Sequence, residues 1–146
     1  MVHPDRTIEL SVSGILVGEW DKARIGQVFS NLLNNAMQYG SHSVPVRVGL
    51  KGDPQAVTLK VGNDGVPIPA DKLKMIFDPL TRVVTEESLI PTSRNLGLGL
   101  YITKEVVVAH GGTIEVTSSE MEGTIFTARF PRSQHDTALQ DVRRQA

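Results

Sequence analysis

Gly97 and Gly99 stand one residue apart in the run Asn95-Leu96-Gly97-Leu98-Gly99-Leu100-Tyr101-Ile102, just ahead of an apolar, helix-like stretch. Glycine lets a backbone come close to a ligand, and the N–H groups of a helix start face an anion with partial positive charge. Together they could cradle a phosphate. Ordinary loop glycines are the alternative reading, and a lone Gly-x-Gly specifies little. The stretch before them, Asp78 to Asn95, holds no hydrophobic period and carries two prolines. Long irregular segments in compact domains are usually functional or mobile. A lid hinged on glycines fits that position. Arg82 and Arg94 within it could meet phosphates as forked donors, although each alone reads as a surface arginine.

Two other groups of residues could do chemistry. Gln27, Asn31, Asn35 and Gln38 are spaced four, four and three apart, which places them along one helix face. A polar stripe is by default a solvated face. Asparagine is a mediocre helix former, however, and Asn31, Asn34 and Asn35 crowd one turn. Amide oxygens suit Mg²⁺, which takes oxygen donors together with waters and substrate phosphates. Asn63-Asp64-Gly65 follows an apolar strand-like run. It reads as a tight turn, or as a side chain that hydrogen-bonds a base edge while Gly65 lets a flat ring approach.

The elements that must position these groups follow from periodicity and punctuation. Ile8 to Val12 alternates like a half-buried strand, Gly14 breaks it, and Ile15 to Val17 could pair back as a hairpin. Asp21 can cap a helix running to about Tyr39, with Ile25, Val28, Leu32 and Ala36 as its apolar stripe and Gly40 at its end. Val44 to Leu50 and Val57 to Val61 read as antiparallel strands around Lys51-Gly52-Asp53-Pro54. Pro69 fits the start of a short helix containing Leu73, Ile76 and Phe77. Leu98 to His110 reads as a second long helix ended by Gly111-Gly112, and Thr113 to Ser118 and Thr124 to Phe130 as a last strand pair. The pattern predicts an α/β (α+β) sandwich: one mixed, mostly antiparallel sheet with helices packed on one face. Strict βαβ alternation, which a doubly wound parallel sheet needs, is missing.

Composition bounds the function classes. The chain has 146 residues, 40% hydrophobic and 21% charged, with a formal net charge of −1 and no cysteine. That suits one ordinary domain with a real core. It excludes disulfides and cysteine metal sites, and it offers no overall basic surplus for nucleic acid. No apolar run reaches the roughly 20 residues that span a bilayer, and Met1 to Arg6 leads into no apolar signal region. A cytoplasmic protein with no membrane contact of its own is the expectation. Residues 1–132 are expected to form the domain and residues 133–146 a polar, frayed tail.

Six ordered segments carry a resemblance to a known family. Asn31-Leu32-Leu33-Asn34-Asn35-Ala36-Met37-Gln38-Tyr39-Gly40 resembles the N box of sensor histidine kinases, and Val61-Gly62-Asn63-Asp64-Gly65-Val66-Pro67-Ile68-Pro69 their G1 box. Ile76-Phe77-Asp78-Pro79-Leu80 resembles the F box, and Gly97-Leu98-Gly99-Leu100-Tyr101-Ile102 the G2 box. Ala109 to Ile114 and Gly123 to Phe126 match the closing strands. The resemblance runs from about Arg6 to Arg132, in order, and is to the catalytic ATP-binding domain of two-component sensor histidine kinases, within the wider group of gyrase, Hsp90 and MutL.

The resemblance implies a Bergerat-type fold that binds Mg-ATP and donates the γ-phosphoryl to a histidine on a separate dimerisation domain, and through it to a response regulator. By position, Asn35 would be the Mg²⁺ ligand with Asn31 beside it. Asn63 would accept from the adenine amino group with Thr124 in support. Tyr39, Ile68 and Phe77 would line the base pocket or lid hinge. Gly97, Leu98 and Gly99 would offer backbone to the phosphates, and Gln38, Gly65, Arg82, Arg94 and Leu100 would complete the nucleotide contacts.

Three departures bear on activity. Asn63 replaces the usual acid and accepts without charge. Pro67 replaces a frequent glycine and stiffens the turn. Gln38 replaces a frequent cation, for which Arg82, Arg94 or Lys104 could compensate. Asn31 stands where gyrase and Hsp90 have a glutamate, and a neutral amide cannot take a proton from water, so hydrolysis should be slow. None of His3, His42, His110 and His135 lies on a helix pair suited to a phosphoacceptor, so the domain is expected to be monomeric alone. Two alternatives stand beside the kinase: a degenerate nucleotide-binding or interaction module, and a serine kinase of the anti-sigma type.

Overall fold

The structure is a computed structural model that describes residues 7–39, 43–79 and 91–133. In chain order the elements are β1 (Ile8–Ser13), α1 (Lys22–Tyr39), β2 (Val46–Gly52), β3 (Ala56–Asn63), α2 (Ala70–Leu73), α3 (Pro91–Ala109), β4 (Thr113–Ser119) and β5 (Gly123–Pro131). The strands form one five-stranded sheet in the order β1-β2-β3-β5-β4. Only the β1–β2 pair is parallel; β2–β3, β3–β5 and β4–β5 are antiparallel. This is the mixed, mostly antiparallel sandwich that the pattern predicts.

Alternation along the strands builds the core. Val46 and Val48 of β2, Leu59 and Val61 of β3, and Phe126, Ala128 and Phe130 of β5 turn to one face and are buried. Against them lie Val28, Leu32 and Ala36 of α1, spaced by four, and Leu100, Val106 and Val107 of α3. Phe126 is fully buried and would cost about 3–5 kcal/mol to truncate to alanine. The two long helices pack on each other and on β3 and β4.

The helix ends are built as their sequences suggest. Arg24 N–H donates to Asp21 Oδ1 at 3.1 Å, so Asp21 caps α1. At the other end of α3, Gly111 takes φ +77°, its N–H donates to Val108 O, and Gly112 N–H donates to Val107 O. These are the paired 5→2 and 6→1 bonds of a Schellman stop.

Three expectations are corrected. Ile15 to Val17 do not return as a hairpin strand: β1 pairs in parallel with β2, and the carbonyls of Ile15 and Val17 accept from the Arg132 guanidinium, each at 2.7 Å. The second long helix starts at Pro91, not Leu98, so Gly97 and Gly99 lie inside it. Proline at the first helical position loses no hydrogen bond, and there it starts a helix. The short helix spans only Ala70–Leu73; Pro69 precedes it as the N-cap residue, and Ile76 and Phe77 follow in turns. Gly40, His3, His42, His135 and residues 134–146 of the tail lie outside the described residues.

Candidate functional site

The amide stripe of α1 divides between two environments. Gln38 and Asn34 are exposed, as a solvated face predicts, and Gln27 Oε1 accepts from Arg24 Nη1 at 3.4 Å. Asn31 is half-buried, and Asn35 is only 6% exposed. The Asn31 Nδ2 group donates to Gly99 O at 3.1 Å and to Thr103 Oγ1 at 3.2 Å. Asn31 therefore joins α1 to the glycine pair of α3. One turn on, the Asn35 amide makes no hydrogen bond to any described residue.

The end of β3 repeats this situation. Asn63 is 5% exposed, lies opposite Thr124 across the β3–β5 ladder, and its side chain makes no hydrogen bond to a described residue. Leaving a buried polar group unsatisfied costs about 1–3 kcal/mol. Asn35 and Asn63 are thus two buried amides, both at positions singled out by their chemistry, that leave hydrogen-bonding capacity unused among the described residues.

Asp64, the acid next along, cannot substitute for Asn63. Its carboxylate turns to Arg47, with Oδ2 3.1 Å from Nη1 and Oδ1 3.3 Å from Nη2. Arg47 also donates to Glu122 O at 3.2 Å, which ties the turn after β3 to the β4–β5 turn. Gly123 there takes φ +76°, and a Cβ on it would sit 2.4 Å from Asn63 O. Glycine is thus required beside the Asn63 backbone.

Thr124 is buried and its Oγ1 lies 2.7 Å from Ser118 Oγ, which accepts from Ile68 N–H at 2.8 Å. The chain Ile68–Ser118–Thr124 holds the segment after the turn against the sheet. Gly65 is exposed and Ile68 half-buried beside it. Phe77 packs edge-on against Phe126, ring centres 6.1 Å apart, and the Lys104 ammonium sits 5.8 Å from the Phe77 ring centre. Leu100 is buried beneath. Gly99 is inside α3, where a Cβ would meet the Asn31 amide at ordinary contact distance, 3.6 Å.

The structure therefore brings Asn31 to Gly99 and Asn63 to Thr124. Arg82 lies outside the described residues, as do the side chains of Tyr39, Arg94 and Leu98; Gly97 is placed only as part of α3. Thr103 and Ser118 were not singled out by sequence. Each had a signal: Thr103 is the polar member of the apolar row Leu100-Thr103-Val107, and Ser118 ends the inward row Ile114-Val116-Ser118.

Among the described residues no three His, Cys, Asp or Glu side chains gather as a metal site. Asn35 and Asn31 are neutral oxygen donors, which fit Mg²⁺ when a phosphate supplies the negative charge. His110 is structural: Asp21 N–H donates to Nε2 at 3.1 Å, so Nδ1 carries the proton to Val106 O at 2.8 Å. No helix among the described residues is long and apolar enough to cross a membrane.

Comparison with known proteins places the chain in a family and matches its fold. The family described as histidine kinase-, DNA gyrase B-, and HSP90-like ATPase matches residues 20–134. Sensor protein kinase WalK of Staphylococcus aureus is 35% identical over 115 residues, 77% of this chain. The chain spans only 27% of that WalK sequence and 19% of the one from strain JH9. The nucleotide-free catalytic domain of histidine kinase ThkA superposes with a TM-score of 0.74 at 25% identity, covering 90% of this chain and 82% of that one. The mycobacterial sensor histidine kinase MprB gives 0.67 at 26% identity, covering 90% and 85%.

Proposed function

This chain belongs to the histidine kinase-, DNA gyrase B- and HSP90-like ATPase family, and on that premise we propose that it is the ATP-binding catalytic domain of a sensor histidine kinase. The observation that carries the reading is the pair of buried amides, Asn35 and Asn63, whose side chains have no hydrogen-bond partner among the described residues. A nucleotide satisfies both. Asn63 Oδ1 accepts from the adenine amino group, with Thr124 beside it on the next strand. Asn35, with Asn31 one turn before it, offers amide oxygen to Mg²⁺ held with the phosphates. When bound, Mg²⁺ neutralises the charge that develops on the transferring phosphoryl. Arg82, Arg94 and the backbone of Gly97, Leu98 and Gly99 are the donors on the phosphate side. Ile68 and Phe77 supply the apolar wall for the base, and Tyr39, Gln38, Gly65 and Leu100 complete the nucleotide contacts in this reading.

The acceptor in this reading is a histidine on a helical dimerisation domain, which passes the phosphoryl to a response regulator on the cytoplasmic side of the membrane. This domain alone is a monomer of residues 1–132 with a polar tail. Water is a poor acceptor here. No carboxylate stands at position 31, and both N–H bonds of the Asn31 amide are taken by α3. Catalysis rests on positioning and charge neutralisation.

Calorimetry of ATP with and without Mg²⁺, on the wild type and Asn35→Ala, tests the site. The expected result is Mg²⁺-dependent binding that falls at least about 10-fold in the variant, as loss of a metal contact predicts. Absence of binding at millimolar ATP would instead favour a degenerate interaction module. Transfer of label to a histidine rather than a serine of the partner separates the sensor kinase from the anti-sigma type.

A further inference from the structure

We propose that Thr103 is a positioning residue that sets which end of the Asn31 amide faces the nucleotide. The inference rests on the Mg-ATP reading above and goes beyond it to a residue outside the six motif segments. Thr103 is fully buried on α3, on the side facing α1. Its hydroxyl donates to Gly99 O, one turn back, at 2.7 Å. A hydroxyl has one proton, so with that proton on Gly99 O the Thr103 oxygen can only accept. Gly99 O is itself an acceptor. Asn31 thus faces two acceptors at 3.1 and 3.2 Å, and only its NH₂ end can satisfy both. A flipped amide would set its oxygen against Gly99 O, and could meet Thr103 only if the hydroxyl gave up its own bond to Gly99 O. The Asn31 Oδ1 is thereby left as the end that a ligand can use.

The triangle also explains a polar residue at a core position. Thr103 occupies the row that Leu100 and Val107 fill with apolar side chains. Valine would fill the same volume and avoid a hydroxyl folded back on its own helix, an arrangement that slightly strains helices. What the hydroxyl adds is direction: it couples the α1 amide to the carbonyl of Gly99, where the phosphate-side glycines lie. Outer partners of this kind orient metal-binding groups and tune the affinity of a site without touching the ligand.

The test compares Thr103→Val, which removes the hydroxyl at constant volume, with Thr103→Ser, which keeps it. Two readouts are made on each chain. The first is the exchange of the Asn31 side-chain NH₂ protons by NMR without nucleotide. The second is ATP affinity with and without Mg²⁺. The proposal expects slowed Asn31 NH₂ exchange in the wild type and in Thr103→Ser, and fast exchange in Thr103→Val. It expects Thr103→Val to weaken Mg-ATP binding about 10-fold, the lower end for loss of an outer partner, while Mg-free ATP binding changes less than 2-fold. Thr103→Ser should restore the wild-type value. Equal loss with and without Mg²⁺ would make Thr103 merely structural and overturn the proposal. So would unchanged Mg-ATP binding in a Thr103→Val chain whose Asn31 NH₂ has become fast. In both cases a binding wild type leaves the ATP site standing. A wild type that binds no ATP, with Asn31 still slowed, removes the functional reading and the positioning role with it, and leaves only the hydrogen-bonded triangle.

Discussion

Asn63 and Asp64 share one turn and send their side chains to opposite faces of the sheet. Asn63 is buried toward the helices, whereas Asp64 meets Arg47, which alternates outward between Val46 and Val48 on β2. The order Asn-Asp therefore places the neutral group inside and the charge where Arg47 balances it. Asn63→Asp tests the division. With nucleotide, a carboxylate accepts the adenine amino group through a charge-assisted bond, which is roughly twice as strong as a neutral one. Without nucleotide, the same carboxylate is a buried, unpaired charge. The variant should bind ATP about 10-fold more tightly and lower the melting temperature of the free chain, read by calorimetry and thermal unfolding. Unchanged affinity would mean that Asn63 does not face the base. At this scale the sequence disclosed the amides, because Asn31, Asn35 and Asn63 stand out by type and spacing. It did not disclose Thr103 or Ser118, whose roles depend on which strand or helix lies opposite.

The elements were legible where their signals are local. Asp21 as a cap, the four-residue apolar spacing of α1 and the Gly111-Gly112 stop all placed helices close to where they lie. The errors arose where partners are distant or a residue has two uses. Ile8 pairs with Val46, far along the chain, and nothing in Ile8 to Val17 announces a parallel neighbour. Pro91 reads as a breaker in a window and acts as a helix start. The β2–β3 turn offers a test. Asp53 Oδ1 accepts from Gln55 N–H at 2.8 Å and Ala56 N–H at 2.9 Å. These two bonds, the first foremost, hold its carboxyl below the usual carboxylate range; Arg129 and Arg132 act in the same direction. A folded-state value depressed in this way stabilises the fold above the unfolded-state value. That stabilisation is lost as pH falls through the folded-state value. Asp53→Asn keeps an acceptor and removes the titration. Urea unfolding should therefore show the wild type more stable than the variant at neutral pH. The gap should close as pH falls below about 4, the unfolded-state range of aspartate. A gap independent of pH would assign the effect to packing.

The molecule as a whole divides into a well-covered half and an open edge. Among the described residues the helical layer lies over β2 to β5 and leaves β1 uncovered, so Leu10 is 63% exposed although it faces the same side as buried Val48. With little apolar burial to hold it, this edge depends on polar fastening. Arg132 supplies it from the far end of the chain. Its Nη1 donates to Val17 O, its Nη2 to Ile15 O and Asp53 O, its N–H to Gln55 O, and its own carbonyl accepts from Glu19 N–H. The neighbouring Pro131 O accepts from Trp20 Nε1 at 2.7 Å. One guanidinium thus ties the connection before α1 to the β2–β3 turn, and α1 carries Asn31 and Asn35. Lysine cannot reproduce this, because its three protons sit on one nitrogen and cannot span carbonyls that a planar fork reaches. Arg132→Lys should lower stability by about 1–2 kcal/mol, the net worth of one or two such bonds. Trp20 is the single tryptophan and is half-buried, so its emission should shift red as the connection loosens. Mg-ATP affinity measured well below the melting point should stay within about 2-fold of the wild type, since coupled sites lose affinity only by the fraction of chains that are not binding-competent. A large loss of ATP affinity in a still-folded Arg132→Lys chain would show that the open edge and the nucleotide site move as one unit through α1. Preserved affinity with lower stability would show that the amide pair is set by α3 and the sheet alone.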